Sequence, residues 1–305
     1  MQSDFLKQNI TFNHISVMPE EIINMISKIP MELIDNGIGI DATIGGGGHS
    51  YKLLNKFKSL KIIGIDQDPF ARKHSQALLE KHNKRVEIID CNFCDFTPTE
   101  KVAFVLADLG VNSYQFDNSN RGFSLKSNGP LDMRMNPTND LTAEKLINKL
   151  SEKELANLIY EYGEERFSRR IANRIKFDIK KKGKFNGTTD LAKSIASCFP
   201  KKLRFSKIHP ATRTFQALRI AVNNEIISLK KFLHISPNWI HSQGMISIIS
   251  FHSLEDREVK NSFKEDKRLN VLTKKPIRPT EEEILRNSRS RSGKLRIAIR
   301  NGNEI

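Results

Sequence analysis

Cysteine, tryptophan and long hydrophobic runs are scarce in this chain of 305 residues. The chain has three cysteines, Cys91, Cys94 and Cys198, and this small, odd number cannot form a disulfide framework. No apolar run approaches the roughly 18 to 20 residues that span a bilayer, and residues 1–13 lack the apolar core of a signal peptide. We therefore expect a cytoplasmic protein that has no membrane contact.

Metal-ligand patterns are also sparse. Cys91 and Cys94 have the spacing of a zinc or redox motif, but no second cysteine pair and no nearby histidine pair accompany them. They follow a strand-like run at residues 86–89, so an ordinary strand end accounts for them. We expect no metal site.

Acidic residues are outnumbered by basic ones. The chain has 50 Lys and Arg against 35 Asp and Glu, which gives a formal net charge of +15. Residues 166–184 carry nine basic residues and one acid, Asp178, and residues 191–224 carry seven basic residues and no acid. Such a bias favours a polyanionic partner, and we predict that these two segments contact the phosphate backbone of RNA or DNA.

Four consecutive glycines occupy residues 45–48, between an apolar run at residues 38–44 and a helix-like stretch at residues 50–57. A buried strand that leads through such a loop into a helix exposes backbone N–H groups and the positive end of the helix dipole, which suits an anionic or nucleotide-like ligand. Asp66 ends the next apolar run, 21 residues after Gly45, where a carboxylate can accept hydrogen bonds from ribose hydroxyls. The pattern predicts a nucleoside pocket.

The fingerprints of cofactors bound through a pyrophosphate or triphosphate are missing. Ser50 and Tyr51 stand where a dinucleotide-binding loop has its third glycine, and the chain has no Gly-Lys-Ser/Thr sequence. A nucleoside with a small charged tail fits better, and S-adenosylmethionine is the commonest of these. Two alternatives stay open: a nicotinamide-dependent oxidoreductase, which predicts the third glycine, and a non-catalytic RNA-binding module, which leaves the pocket unexplained.

Apolar runs that end in polar or acidic residues alternate with helical patterns. The runs cover residues 38–41, 62–66, 86–90, 102–108 and 245–250. This βαβ alternation predicts an α/β fold with a mostly parallel sheet, helices on both faces and ligands at the carboxyl ends of the strands. Two later runs, residues 269–272 and 295–299, predict an antiparallel hairpin at the sheet edge.

The alternation stops between Asp108 and Met245, a gap far too long for one crossover. Loop-like sequence is followed there by helical patterns, with Thr142 and Ser151 as predicted caps. One helix has an apolar residue at every fourth position, at Phe167, Ile171, Ile175 and Ile179. We predict a discontinuous core of residues 1–116 and 212–305, and an inserted helical domain of residues 117–211 that recognises RNA.

Six motifs, in order along nearly the whole chain, closely resemble those of a known family. They occupy residues 41–50, 108–111, 129–135, 162–166, 209–219 and 250–257. The family is that of the bacterial 16S ribosomal RNA cytosine-N4 methyltransferases, known as RsmH or MraW. The resemblance implies a Rossmann-like class I methyltransferase sheet with a helical domain inserted after the fourth strand. It also implies methyl transfer from S-adenosylmethionine to the N4 amine of a decoding-region cytidine in the 16S rRNA of the small ribosomal subunit.

The resemblance further implies a set of residues that line the cofactor site. The set consists of Gly47, Gly48, His49, Asp66, Phe93, Asp108 and Gln115. Asp66 takes the ribose hydroxyls in this scheme. The ring of Phe93 could pack on adenine, with ordinary core packing as the alternative. Asp108, at a strand end beside the cofactor, is the candidate acceptor for the amine proton during catalysis.

Three further residues are candidates for contact with the RNA. Arg213 and Arg219 could meet RNA phosphate, although arginines on helix faces also pair with acids inside proteins. His252 could contact the target base or its ribose, or could be a structural histidine at a strand end. Asn112 departs from the family, in which we expect Ser more often, so we assign it no catalytic role. Both a monomer and a homodimer stay open.

Overall fold

A computed structural model describes residues 15–204 and 208–302. Residues 1–13, for which no signal peptide was expected, lie outside the described residues, as does Lys207 of the second basic segment. Within the described ranges, no helix is both long enough and apolar enough to cross a membrane.

Strands and helices alternate from residue 19 to residue 117 and again from residue 240 to residue 300. The first part contains α1 (Pro19–Ile26), α2 (Met31–Ile34), β1 (Ile38–Asp41), α3 (Gly48–Lys56), β2 (Lys61–Ile65), α4 (Pro69–Leu78), β3 (Val86–Ile89), β4 (Val102–Asp108) and α5 (Ser113–Asp117). The last part contains β5 (Ile240–Ser250), α13 (Ser253–Glu265), β6 (Leu269–Val271), α14 (Glu281–Arg286) and β7 (Lys294–Arg300). Between them, a long loop is followed by the helices α6 (Ala143–Lys149), α7 (Glu152–Gly163), α8 (Ser168–Lys182), α9 (Thr188–Ser197), α10 (Lys201–Arg204), α11 (Thr212–Asn223) and α12 (Glu225–Ile235), with no strand among the residues described there.

The seven strands form one sheet in the order β3-β2-β1-β4-β5-β7-β6. The first five strands are parallel, and β7 is antiparallel to both β5 and β6. This order, with its antiparallel end, is that of a class I methyltransferase and confirms the predicted fold class. The two terminal strands are antiparallel neighbours as predicted. Because β7 lies between β5 and β6, β6 alone forms that edge.

Parallel pairing brings three acids to one end of the sheet. Asp41, the last residue of β1, is paired with Gly64 in β2 and with Leu106 in β4. Asp66 and Asp108 each lie two residues beyond those partners. The carboxyl ends of β1, β2 and β4 therefore carry acidic groups at nearly the same level, where ligands of open α/β sheets bind.

The helical part has a hydrophobic core of its own. Its buried side chains lie between Phe123 and Val222 and come from the loop after α5, from helices α6, α7, α8, α9 and α11, and from segments that join the helices. Phe215 and Leu218 of α11 belong to this core, and α11 packs closely on α7. The predicted domain boundary between residues 211 and 212 stays a prediction. We call the helices that share this core the helical cluster, and α11 belongs to it by packing.

Glu164 connects the helical cluster to the sheet core. It follows α7 in the left-handed conformation, and its carboxylate accepts hydrogen bonds from the Ser253 hydroxyl and the Arg257 guanidinium at the start of α13. Its backbone carbonyl accepts a hydrogen bond from Arg213. A Cβ at Gly163 would lie 2.7 Å from the Arg213 carbonyl oxygen, so the close approach of α7 and α11 requires glycine. The motifs at residues 162–166 and 250–257 thus meet in space.

Candidate active site

The glycine loop joins β1 to α3 at the acidic end of the sheet. Gly45 and Gly47 have φ angles of 51° and 81°, in the left-handed region that disfavours residues with a Cβ. A Cβ on Gly47 would also lie 3.1 Å from the Cβ of Ser75 in α4, whereas a Cβ on Gly45 would meet no atom nearer than 3.7 Å. Helix α3 begins at Gly48, so its first N–H groups open onto this end of the sheet.

Asp66 lies between the glycine loop and the start of α4. One carboxylate oxygen accepts a hydrogen bond from the backbone N–H of Gly45 at 3.0 Å, and the other accepts from that of Asp68 at 2.8 Å. Burial raises the pKa of Asp66 to about 7, against the lowering effect of these two donors. Each oxygen keeps a second lone pair, so the carboxylate can accept further hydrogen bonds from a ligand.

Asp41, His49 and Asp108 form a buried polar cluster beside the loop. Nε2 of His49 lies 3.5 Å from Oδ2 of Asp108, and the Ser50 hydroxyl donates to Oδ2 of Asp41 at 2.6 Å. Burial raises the pKa of Asp41, although the neighbouring His49 opposes this. Three buried atoms of this cluster have no hydrogen-bond partner in the structure: Oδ1 of Asp41, Oδ1 of Asp108 and Nε2 of His49. Buried polar atoms are normally satisfied, so these three atoms can form hydrogen bonds with a polar ligand.

Thr43 and Asp108 tie β1 to β4 at this point, because the backbone N–H of Asp108 donates to the Thr43 hydroxyl at 2.7 Å. This hydrogen bond fixes the backbone from which the Asp108 carboxylate projects. The sequence patterns identified Asp108 as a site residue, but they did not identify Thr43 or the pairing of Asp41 with Ser50. Asp41 and Ser50 are nine positions apart on either side of the glycine loop, so no periodic pattern relates them.

Gln115 belongs to a buried hydrogen-bond network that the sequence did not predict. Its side-chain NH2 donates to Oδ2 of Asp68 at 2.7 Å, and its side-chain oxygen accepts from the N–H of Asn112, which caps α5. Arg121 donates to the same Asp68 oxygen at 2.9 Å. Arg121 also donates to the carbonyls of residues 134 and 135. The network anchors the loop after α5 to the start of α4, and Asn112 has a structural role in it.

Phe93 follows β3 and packs against the core. Its ring lies edge-on to that of Phe232 in α12, with 5.0 Å between ring centroids, and it is only partly buried. Core packing, the alternative interpretation, therefore accounts for one side of the ring. Packing of its other side on adenine stays a prediction.

Arg219 is bound to an acid inside the protein. Its guanidinium donates to both oxygens of Glu225, at 2.9 and 2.8 Å, and its side chain is 14% exposed. This is the internal ion pair that the sequence left as an alternative to phosphate binding. Burial raises the pKa of Glu225, while the guanidinium acts to lower it. Arg213, by contrast, is exposed.

His252 is the N-cap of α13. Its Nδ1 accepts a hydrogen bond from the backbone N–H of Glu255 at 3.3 Å, and its Nε2 lies 3.0 Å from a Glu255 carboxylate oxygen. The two ring nitrogens thus face Glu255, but the contact of Nε2 lacks hydrogen-bond geometry and leaves that buried atom without a partner. Although burial acts to raise it, the neighbouring His252 lowers the pKa of Glu255. Contact between His252 and the substrate stays a prediction.

One group of possible metal ligands occurs in the described part of the chain. Ligand atoms of Glu225, His252 and Glu255 lie within 4.8 Å of one another. Arg219 binds both oxygens of Glu225 there, so a cation already serves one of the two acids. The geometry is that of an internal charge network.

The family model and the curated relatives assign the chain to one family. The model of the MraW methylase family matches residues 11–301. Ribosomal RNA small subunit methyltransferase H of Prochlorococcus marinus strain AS9601 is 61% identical over 298 residues, which cover 98% of this chain and 99% of that protein. The protein of the same name from strain MIT 9301 is 60% identical with the same coverage. A solved rRNA methylase from Streptococcus thermophilus is 10% identical with a TM-score of 0.42, and the match covers 92% of this chain and 95% of that one. The chain belongs to the MraW methylase family.

Proposed function

We propose that this protein transfers a methyl group from S-adenosylmethionine to the exocyclic N4 amine of a decoding-region cytidine in the 16S rRNA of the small ribosomal subunit. Family membership over residues 11–301 supports the reaction and its RNA substrate. The observation that carries the site assignment is the buried cluster of Asp41, His49 and Asp108, with its three unsatisfied atoms beside the glycine loop.

The residues present fit S-adenosylmethionine. Its sulfonium and α-ammonium groups are cationic. The carboxylate oxygens of Asp41 and Asp108 offer buried acceptors of the opposite charge. Its carboxylate group fits the N–H groups at the start of α3. Asp66 retains acceptor capacity for ribose hydroxyls. When bound, the cofactor supplies an electrophilic methyl group.

Asp108 is the candidate for handling the proton of the amine. The lone pair of a cytosine amine is delocalised into the ring, and positive charge develops on the nitrogen as it attacks the methyl carbon. An aligned carboxylate stabilises that charge and accepts the N–H proton. The Thr43 hydrogen bond holds the Asp108 backbone, and His49 lies on the other side of its carboxylate. Both contacts limit the orientations that Asp108 can adopt.

The helical cluster is the proposed RNA-binding part. The target cytosine must leave its stack to reach the methyl group, at a cost of about a few kcal/mol that contacts to the RNA backbone can offset. Exposed Arg213 and the basic outer face of α8 supply cations for such contacts. Arg219 is committed to Glu225, so we propose a structural role for it. An rRNA substrate also suits the expected cytoplasmic location.

The direct test uses methyl-labelled S-adenosylmethionine and small ribosomal subunits that lack the modification. The protein is incubated with assembled subunits in one arm and with naked 16S rRNA in the other. The RNA is then digested to nucleosides and analysed by mass spectrometry, and the labelled position is mapped by nuclease protection. Labelled N4-methylcytidine at one decoding-region position is the expected product.

The protein with Asp108→Asn serves as the matched control, since the substitution preserves side-chain size. It is expected to bind the cofactor and to give little label. Label on another nucleoside, or no label from the wild-type protein on either substrate while cofactor binding is intact, would contradict the proposal. Reduction of a nicotinamide cofactor under the same conditions would instead favour the oxidoreductase alternative.

A further inference from the structure

Phe177 lies on the outer face of α8 with its ring in solvent. Its side chain is 56% exposed, although α8 buries Ile171 and Ile175 on its opposite face. An isolated exposed aromatic residue needs no explanation by itself. The residues around this one are unusual, because each exposed neighbour on the same helix face is polar or cationic.

The neighbours follow from helical spacing. Positions three, four and seven residues away from Phe177 share its face of the helix. Within α8 these positions hold Arg170, Asn173, Arg174, Lys180 and Lys181, and all five are exposed. The ring therefore lies within a stripe of cations that runs about two turns towards the start of the helix and one turn towards its end at Lys182. We call residues 170–181 on this face the α8 stripe.

Most cations of the α8 stripe are available to a ligand. Arg174 donates to Asp178, which is buried and also accepts a hydrogen bond from Ser194. In residues 15–204 and 208–302, no acid forms an ion pair with Arg170, Lys180 or Lys181. Exposed cations elsewhere, such as Arg257 and Lys231, do have acidic partners. The α8 stripe is therefore left positive.

An exposed ring between unpaired cations matches the chemistry of unpaired nucleotides. A base stacks on the aromatic face while neighbouring phosphates bind the cations, and stacking is tolerant of base identity because every base has a π face. We infer that the α8 stripe binds a single-stranded or looped RNA segment, with one unpaired base stacked on Phe177 and the adjoining phosphates on Arg170, Lys180 and Lys181. This inference rests on the proposed function, in that the bound RNA is the methylation substrate.

The test compares Phe177→Ala, Phe177→Trp and Tyr160→Ala, the last as a matched control because Tyr160 of α7 is also exposed, at 62%. The probes are an unpaired oligoribonucleotide of about ten nucleotides and a blunt duplex of the same length. Phe177→Ala is expected to weaken single-strand binding about 5- to 150-fold, while Phe177→Trp retains it. Tyr160→Ala is expected to leave binding unchanged.

Two further readouts separate stacking from charge. Lys181→Ala is expected to reduce the magnitude of the slope of log K against log salt by about one, the value for the loss of one phosphate contact. Phe177→Ala is expected to leave the slope unchanged. Trp239, the only native tryptophan, is buried. Quenching of the added fluorescence of Phe177→Trp by the single strand therefore reports stacking directly.

Several outcomes would overturn the inference. Unchanged single-strand affinity of Phe177→Ala, or fluorescence of Phe177→Trp that RNA does not alter, excludes stacking. A change in sedimentation mass caused by Phe177→Ala, without loss of RNA affinity, identifies the stripe as a contact between copies of the chain. Because wild-type label transfer to small subunits is measured separately, failure of this inference is distinguishable from failure of the proposed function.

Discussion

The Nε2 atom of His49 lies 3.5 Å from Oδ2 of Asp108, across the gap between the start of α3 and the end of β4. The other oxygen of Asp108 and the Nε2 atom itself are buried and have no hydrogen-bond partner. The two residues come from different motifs of the sequence, and the parallel pairing of β1 with β4 brings those motifs together. Their geometry leads directly to a prediction about catalysis.

Asp108→Asn should separate chemistry from cofactor binding. Asparagine has nearly the same size, but it is a much weaker base and cannot accept the amine proton. We expect single-turnover methyl transfer to fall about 10²- to 10⁴-fold, the usual contribution of a positioned acid or base. Rapid-quench kinetics with saturating cofactor measure the rate, and calorimetry measures cofactor affinity. A loss of affinity large enough to explain the whole rate change would remove the catalytic role.

Asp66→Ala should weaken cofactor binding and leave the RNA affinity intact. The carboxylate can form charge-assisted hydrogen bonds with ribose hydroxyls, and their removal costs about 1.5 to 3 kcal/mol of binding free energy. Titration calorimetry at constant pH gives the difference from the wild-type protein. Equal affinities of the two proteins would show that Asp66 only supports the glycine loop, through its hydrogen bond from Gly45.

The pKa of Asp66 adds a pH dependence to stability. Its ordinary value of 3.8 is raised to about 7 by burial, so the folded chain holds this proton more tightly than the unfolded chain. The resulting contribution to stability is fully present below pH 3.8 and is lost as the pH rises through about 7. Asp66→Asn cannot ionise. Its free energy of unfolding, relative to that of the wild-type protein, should therefore rise between pH 4 and 7.

Urea denaturation of both proteins at pH 4.5, 6 and 7.5 measures this trend. Asp95→Asn is a suitable control, because bonding to Lys231 lowers the pKa of Asp95 and its titration lies below this window. A constant difference between Asp66→Asn and the wild-type protein over the three pH values would show that Asp66 has no raised pKa.

Much of the sheet could be predicted because its strands are short, apolar and bounded by polar residues. The exception is β5, which begins at Ile240 although the apolar run begins only at Met245. Residues 241–243 are polar and exposed, and Gln243 has a φ of 66° within an irregularity in the pairing with β4. An exposed, bulged strand start has no alternating pattern.

The N-caps of two helices could also be predicted from the sequence. Thr142 and Ser151 cap α6 and α7 as predicted, and Ser151 forms a capping box with Glu154. Capping depends on residues within one turn, so the sequence is sufficient. The predicted apolar face of α8 is also confirmed, since Ile171 and Ile175 are fully buried.

The partner of Arg219 could not be predicted. Glu225 is six residues further along the chain, and the helix breaks between them at Asn224, which has a φ of 51°. Helical spacing therefore does not relate the two residues, and only the turn from α11 into α12 brings them together. From the sequence alone, an arginine in a basic segment cannot be distinguished from a residue that binds phosphate.

Arg219→Ala should destabilise the fold far more than Arg213→Ala. Removing the guanidinium leaves Glu225 buried without its cation, and breaking a buried pair in this way costs about 3 to 5 kcal/mol of unfolding free energy. Arg213 is exposed, and a surface change costs within about 0.5 kcal/mol. Urea denaturation measures both. A stable Arg219→Ala protein that loses RNA affinity would instead restore the phosphate-binding role of Arg219.

Gly47→Ala should lower cofactor affinity, whereas Gly183→Ala should leave it unchanged, although both glycines have a φ of 81°. An L-residue costs about 1 to 2 kcal/mol in the left-handed region that Gly47 occupies, and Gly183, with a ψ of −52°, has a separate backbone penalty. A Cβ on Gly47 also meets Ser75 at 3.1 Å and Leu79 at 3.3 Å, whereas a Cβ on Gly183 has no atom within 4 Å. Helix α4 must therefore shift to admit the alanine at Gly47, and the cofactor loop shifts with it. Urea denaturation together with calorimetric cofactor binding tests this pair. Equal cofactor affinities of the two folded variants and the wild-type protein would show that the loop tolerates a side chain, and that its four glycines serve the turn alone.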